Sequence, residues 1–203
     1  MMKFLYIYSL ASLFSLSTLG QSLEILPGTE RIFTDAQWLE VFDEEKRWSL
    51  FSRSRATVDY QDNTDLFTGA YLNYTSKMGL GATLLGRVSS RGAGSDAGSH
   101  FFKAGNQWMI YALASIALSS ELSYSWFSIL RFTPKLSGKW RVYSSLELFS
   151  NFEAEGHVAS VQRIRVGLDR AGFQFGLGLN LSGLGKTYST TDSNLGVFIR
   201  KQF

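Results

Sequence analysis

His157 stands three residues before Ser160 and shortly after Glu153 and Glu155. An imidazole within reach of a hydroxyl or carboxylate can act as the base that activates a nucleophile, so His157 with Ser160 is where the sequence offers hydrolytic chemistry. A polar histidine beside a loop is the plainer account. The other histidine, His100, falls inside a strand-like stretch. Cysteine is absent, which removes thiolate metal sites, cysteine nucleophiles and disulfides. No histidine pair or His-carboxylate cluster has ligand spacing, so neither a metal nor a cofactor is expected. Gly176-Leu177-Gly178 looks like part of a phosphate loop only superficially, because no helix follows it.

The second chemistry is that of guanidinium groups. Arg53 with Arg55, and Arg163 with Arg165, are spaced two apart, which puts each pair on one face of a strand. Arg87, Arg131, Lys139, Arg141 and Arg200 fall on the polar faces of other alternating stretches, opposed there by Asp59, Glu147 and Asp169. Gathered into one interior, these side chains would bind carboxylates or phosphates and focus a positive field. The alternative is that they fill that interior through hydrogen bonds and ion pairs, and this is the favoured account. The net charge of +3 is small and the basic residues form no run, so no nucleic-acid partner is expected.

The elements that would position these groups are strands. Nineteen glycines, 9 tyrosines, 16 phenylalanines and 5 tryptophans against 2 prolines suit strands and tight turns. Residues 1–20 carry one early lysine, a short apolar stretch and small residues at Thr18 and Gly20, the pattern of a signal peptide cleaved before Gln21. Residues 21–47 read as a separate N-terminal periplasmic segment or plug, in which Thr34 caps a short helix with Trp38, Val41 and Phe42 on one face. From Trp48 to Phe203 period-two alternation dominates. It predicts strands near 48–60, 65–76, 78–90, 96–104, 107–119, 121–133, 137–151, 157–170, 172–182 and 193–203.

Apolar groups fall consistently on one face of these strands. Trp48, Leu50, Ala56 and Val58 oppose Ser49, Arg53, Arg55 and Thr57, and Phe173, Phe175, Leu177 and Leu179 oppose Gln174, Gly176, Gly178 and Asn180. An apolar outside with a polar inside is the pattern of an antiparallel, up-and-down transmembrane β-barrel of about ten strands. Trp48, Trp108, Trp140 and Phe173 begin alternate strands while Tyr74, Phe132 and Phe203 end the others, so all seven would lie at one rim as an interfacial girdle. The connections 152–156 and 183–192 read as longer loops at the opposite, external rim.

With its signal peptide and residues 48–203, the chain resembles bacterial outer-membrane β-barrel proteins. The resemblance implies the outer membrane as location and its lipid as surroundings. It also makes Leu195, Val197, Ile199 and Phe203 the C-terminal signal read by the barrel-assembly machinery, with Lys201 departing from the pattern. Two functions follow as expectations. The first is a structural or interaction component, with an envelope protein as partner or with narrow anion-selective permeation past the arginines. The second is an enzyme of the lipid A-modifying or protease-like kind at the external rim around His157.

Overall fold

A computed structural model describes residues 20–61, 63–90 and 92–203, and all its regular elements are strands. They are β1 (Ser22–Pro27), β2 (Arg31–Val41), β3 (Trp48–Asp59), β4 (Thr64–Thr75), β5 (Leu80–Ser89), β6 (Gly92–Ala104), β7 (Trp108–Ala117), β8 (Ser123–Phe132), β9 (Lys135–Ser137), β10 (Trp140–Glu153), β11 (Gly156–Arg170), β12 (Phe173–Leu184) and β13 (Thr190–Gln202). Each pairs antiparallel with its neighbours, and β13 returns to β1 through Ser22↔Gln202 and Ile25↔Ile199, which closes the sheet into a barrel. β9 is a short extension paired only with the start of β10, so 12 strands form the wall. Closure leaves no open edge among the 12 wall strands, the condition for backbone polar groups to tolerate hydrocarbon.

The alternating segments from Trp48 onward all become strands, but residues 21–47 depart from their reading. They form neither a plug nor a helix: β1 and β2 are wall strands, and Thr34, Trp38 and Val41 lie along β2. The barrel therefore has two more strands than expected. The predicted signal peptide, Gly20 apart, lies outside the described residues. The two loops read as external are also shorter than expected, because β10 and β11 run on until only Ala154 and Glu155 separate them, and β12 and β13 until residues 185–189 do.

The outer face is apolar along its middle, with Leu84, Val166, Leu177, Leu195, Val197 and Ile199 each exposed. At the rim that holds the chain end, Trp48 meets Tyr74 at 5.0 Å, and Lys201 sets its ammonium 4.4 Å from the Phe173 ring centre. The girdle residues thus flank the same rim. In the turn there, between β2 and β3, the Asp43 carboxylate accepts the amides of Trp48 at 2.6 Å and Arg47 at 3.0 Å, which holds it below its ordinary pKa.

The inner face is not an open polar lining. Tyr71, Leu85, Leu113, Phe127 and Ile129 form one buried apolar cluster inside β4, β5, β7 and β8; Leu26, Phe33, Tyr143 and Phe198 form another inside β1, β2, β10 and β13. Burial of each such side chain contributes about 1.5–3 kcal/mol, independently of lipid. At the far end of the second cluster Asn194, fully buried, accepts the amides of Glu30 at 3.0 Å and Arg31 at 3.2 Å and donates to the Arg31 carbonyl, pinning the β1–β2 turn to β13. Its amide occupies the space where a Cβ on Gly28 would stand, at 2.2 Å, so that turn requires glycine. Asn194→Leu, which strands two amides, is expected to destabilise the barrel by about 2–4 kcal/mol, read as a lower urea midpoint in detergent.

Candidate functional site

Two places in the fold concentrate chemistry: a belt of charge inside the barrel and a histidine–serine pair outside it.

The belt is built on Glu147 of β10 and Asp35 of β2. Glu147 takes Arg53 at 2.6 Å, Arg55 at 2.5 Å and Arg163 at 2.5 Å; Asp35 takes Arg53 at 2.6 Å and Arg55 at 3.3 Å. Gln37 donates to Asp35 at 2.5 Å, and its carbonyl accepts Arg131 at 3.1 Å and Arg200 at 3.3 Å. Arg200 also donates to the Tyr143 hydroxyl at 2.7 Å and Ser22 at 2.8 Å. Five guanidinium groups thus share two carboxylates and one amide. Neither Arg131 nor Arg200 has a carboxylate within ion-pair distance among the described residues.

These contacts cross the lumen. β3 and β10 are six places apart around the wall, as are β2 and β8, so Arg53–Glu147, Arg55–Glu147 and Arg131–Gln37 join opposite sides. Twelve strands about 4.8 Å apart would make a circle roughly 18 Å across before tilt widens it, more than such pairs span. The barrel is therefore flattened, and its middle is closed by its own side chains.

Of the arginines read as luminal, Arg53, Arg55, Arg131, Arg163 and Arg200 meet in the belt. Arg165 pairs separately with Glu24 at 2.8 Å. Arg87 pairs with Asp96 at 2.9 Å toward one end, half-exposed. Arg141 does not join them: it donates to the carbonyls of Thr133 at 2.9 Å and Asn106 at 2.8 Å and braces the rim near β9. The expected acids are corrected too. Of Asp59, Glu147 and Asp169, Glu147 alone enters the belt; Asp59 folds onto the amides of Gln61 and Asn63 at 2.9 Å, and Asp169 takes Gln174 at 2.8 Å. Asp35, Gln37 and Glu24 were missed because they belong to the segment read as separate from the barrel. A signal existed in the alternation of Glu24 with Leu26, and of Asp35 with Gln37, on one face.

His100 is a satisfied interior histidine, held between Thr75 and Thr83 at 2.8 Å each. His157 is different. Residues three apart on a strand face opposite ways, yet a bulge between β10 and β11 pairs Phe152 with His157 and Asn151 with Ala159, leaving Val158 as the extra residue. That shift turns His157 to the outer face, beside Ser160. Its Nε2 is 2.7 Å from Ser160 Oγ and its Nδ1 2.8 Å from the Gly185 carbonyl. Tyr188 stacks on the ring at 4.1 Å, and Phe152 meets it at 5.5 Å. The expected carboxylates do not reach it, and Glu155 pairs with Lys186 instead. A groove of about 330 Å3 adjoins the pair, lined by Ser160, Gln162, Leu181, Tyr188, Thr191 and Ser193. Among the described residues no three His, Asp or Glu groups converge as metal ligands.

Leu195, Val197 and Ile199 point outward along β13, and Phe203 ends the chain with its amide bonded to the Gln21 carbonyl at 3.0 Å.

No family model and no curated relative matches the sequence. Solved structures do match the fold. The KdgM porin is 7% identical with a TM-score of 0.54, covering 91% of this chain and 99% of that one. The KdgM porin in complex with disordered oligogalacturonate gives 6% identity and a TM-score of 0.54 over the same shares. LpxR from Salmonella typhimurium gives 9% identity and a TM-score of 0.49, with 91% and 100% covered. The closed antiparallel wall is thus the fold of bacterial outer-membrane β-barrels.

Proposed function

We propose that the protein is an outer-membrane barrel braced shut at rest by its own side chains, whose surplus of luminal guanidinium groups admits small anions through a narrow path and excludes cations. The observation that carries this reading is the belt, where five guanidinium groups face two carboxylates in a closed interior. Fixed positive charge in a low-dielectric wall attracts anions strongly, because little solvent screens it. The two apolar clusters flanking the belt keep the path small, so the expected conductance is far below that of an open porin. On this reading Leu195, Val197, Ile199 and Phe203 are the segment offered to the barrel-assembly machinery.

The test is planar-bilayer recording of the refolded protein across a salt gradient. Small anion-selective currents are expected, and replacing Arg131 and Arg200 together by Gln should move the reversal potential toward zero. A folded but silent protein would sink the permeation reading and leave a structural or interaction role. Large or cation-selective steps would overturn the closed, basic interior itself.

A further inference from the structure

We propose that His157 and Ser160 form a serine-hydrolase dyad on the lipid-facing surface, acting on acyl-ester lipids at the rim opposite the chain end. The proposal is independent of permeation, because it concerns the outer face alone.

The geometry supplies the parts in order. Gly185 O can only accept, so Nδ1 carries the proton in that bond; in the neutral ring Nε2 is then the acceptor for the Ser160 hydroxyl. Ser150 Oγ lies 2.9 Å from Ser160 Oγ and donates to it when Ser160 donates to the histidine. The same carbonyl of Gly185 accepts the Tyr188 amide at 3.1 Å, and Tyr188 holds a left-handed backbone at φ 53°. Its ring folds back over Gly183, where a Cβ would meet it at 2.8 Å, and so forms one wall of the groove beside Ser160. A bulge that re-aims a histidine and a strained residue that roofs it are features that gather at functional sites.

The groove explains the substrate class. Its lining residues Ser160, Gln162 and Leu181 all point outward, and the column Leu181, Leu179, Leu177 on β12 runs from it along the apolar wall. A lipid acyl chain laid on that column brings its ester carbonyl to Ser160. There Ser160 Oγ attacks the carbonyl carbon while its proton passes to His157 Nε2. The imidazolium then protonates the departing alcohol oxygen as the ester C–O bond breaks, leaving an acyl-Ser160. Water, deprotonated by the same nitrogen, attacks the acyl carbon, releases the fatty acid and restores the hydroxyl. Gln162, Thr191 and Ser193 line the same groove and are the hydrogen-bond donors available to the carbonyl oxygen there.

The experiment uses the full chain refolded in detergent, with folding checked by heat-modifiable gel mobility. A fluorophosphonate probe should modify Ser160, located by mass spectrometry, and His157→Gln should slow that modification by roughly a thousandfold or more. Hydrolysis is then followed in phosphatidylethanolamine vesicles with and without lipopolysaccharide, and on a soluble p-nitrophenyl ester. Release of fatty acid from either vesicle supports the proposal, and the difference between them names the lipid. Cleavage of the soluble ester alone would refute the lipid-facing assignment. An unmodified Ser160 in folded protein, or modification indifferent to His157, would refute the dyad, whatever the bilayer recordings show.

Discussion

Deleting residues 21–47 should abolish folding of the barrel. A plug is dispensable to the wall that surrounds it, and its loss would raise conductance. β1 and β2, however, join β13 to β3, and without them both neighbours become open edges. Each unpaired amide or carbonyl exposed to hydrocarbon costs several kcal/mol, so the shortened sheet cannot persist in a bilayer. The interior loses as much. Arg165 loses Glu24, Arg53 and Arg55 lose Asp35, and the second apolar cluster loses Leu26 and Phe33. The expected result is a truncated chain with no heat-modifiable band after refolding and no protease-resistant core. A truncated chain that folds and conducts more than the full one would show that β1 and β2 are removable.

Why those two strands carry only a faint signal in the sequence follows from their residues. A lipid-facing strand is recognised by apolar groups on one face and polar groups on the other, but β1 carries Leu23 and Ile25 outward and Leu26 inward, and β2 carries Ile32 outward and Phe33 inward. With apolar groups on both faces the period-two signal fades, while Trp38, Val41 and Phe42 happen to fit a helical spacing. From Trp48 onward alternation broken by turn residues allowed every strand to be read, and the girdle residues agreed with their up-and-down order. The inner face was read less well. Tyr71, Leu113 and Phe127 are as apolar as anything outside, and period alone does not say that they meet across a flattened barrel. The luminal arginines were legible as a set because alternation assigns faces, whereas their partners were not, since register between distant strands decides which charges meet. The His157–Ser160 contact was legible only as proximity in sequence. Strict alternation would have placed the two on opposite sides of the wall, and the bulge that unites them leaves no mark in composition.

Glu147→Gln should be the most damaging single substitution in the interior. The carboxylate is the shared acceptor of Arg53, Arg55 and Arg163, and with Asp35 it holds opposite walls together. Breaking a buried pair by removing one partner costs about 3–5 kcal/mol, because the remaining charge stays buried without compensation. Here Arg53 and Arg55 would keep only Asp35 and Arg163 would lose its carboxylate partner, so the upper end of that range is expected, read as a lower urea midpoint of the refolded barrel. Glu147→Gln combined with Arg163→Gln should recover part of the loss, since the second change removes one of the stranded charges; additivity of the two losses would show that they do not interact. The same variant bears on permeation with the opposite sign. Loss of Glu147 leaves five guanidinium groups against one carboxylate, so whatever fraction folds should prefer anions more strongly than the native barrel does while being less stable. Stability and selectivity moving in opposite directions would identify the belt as both brace and filter, whereas a fall in stability with no change in selectivity would make it a brace alone.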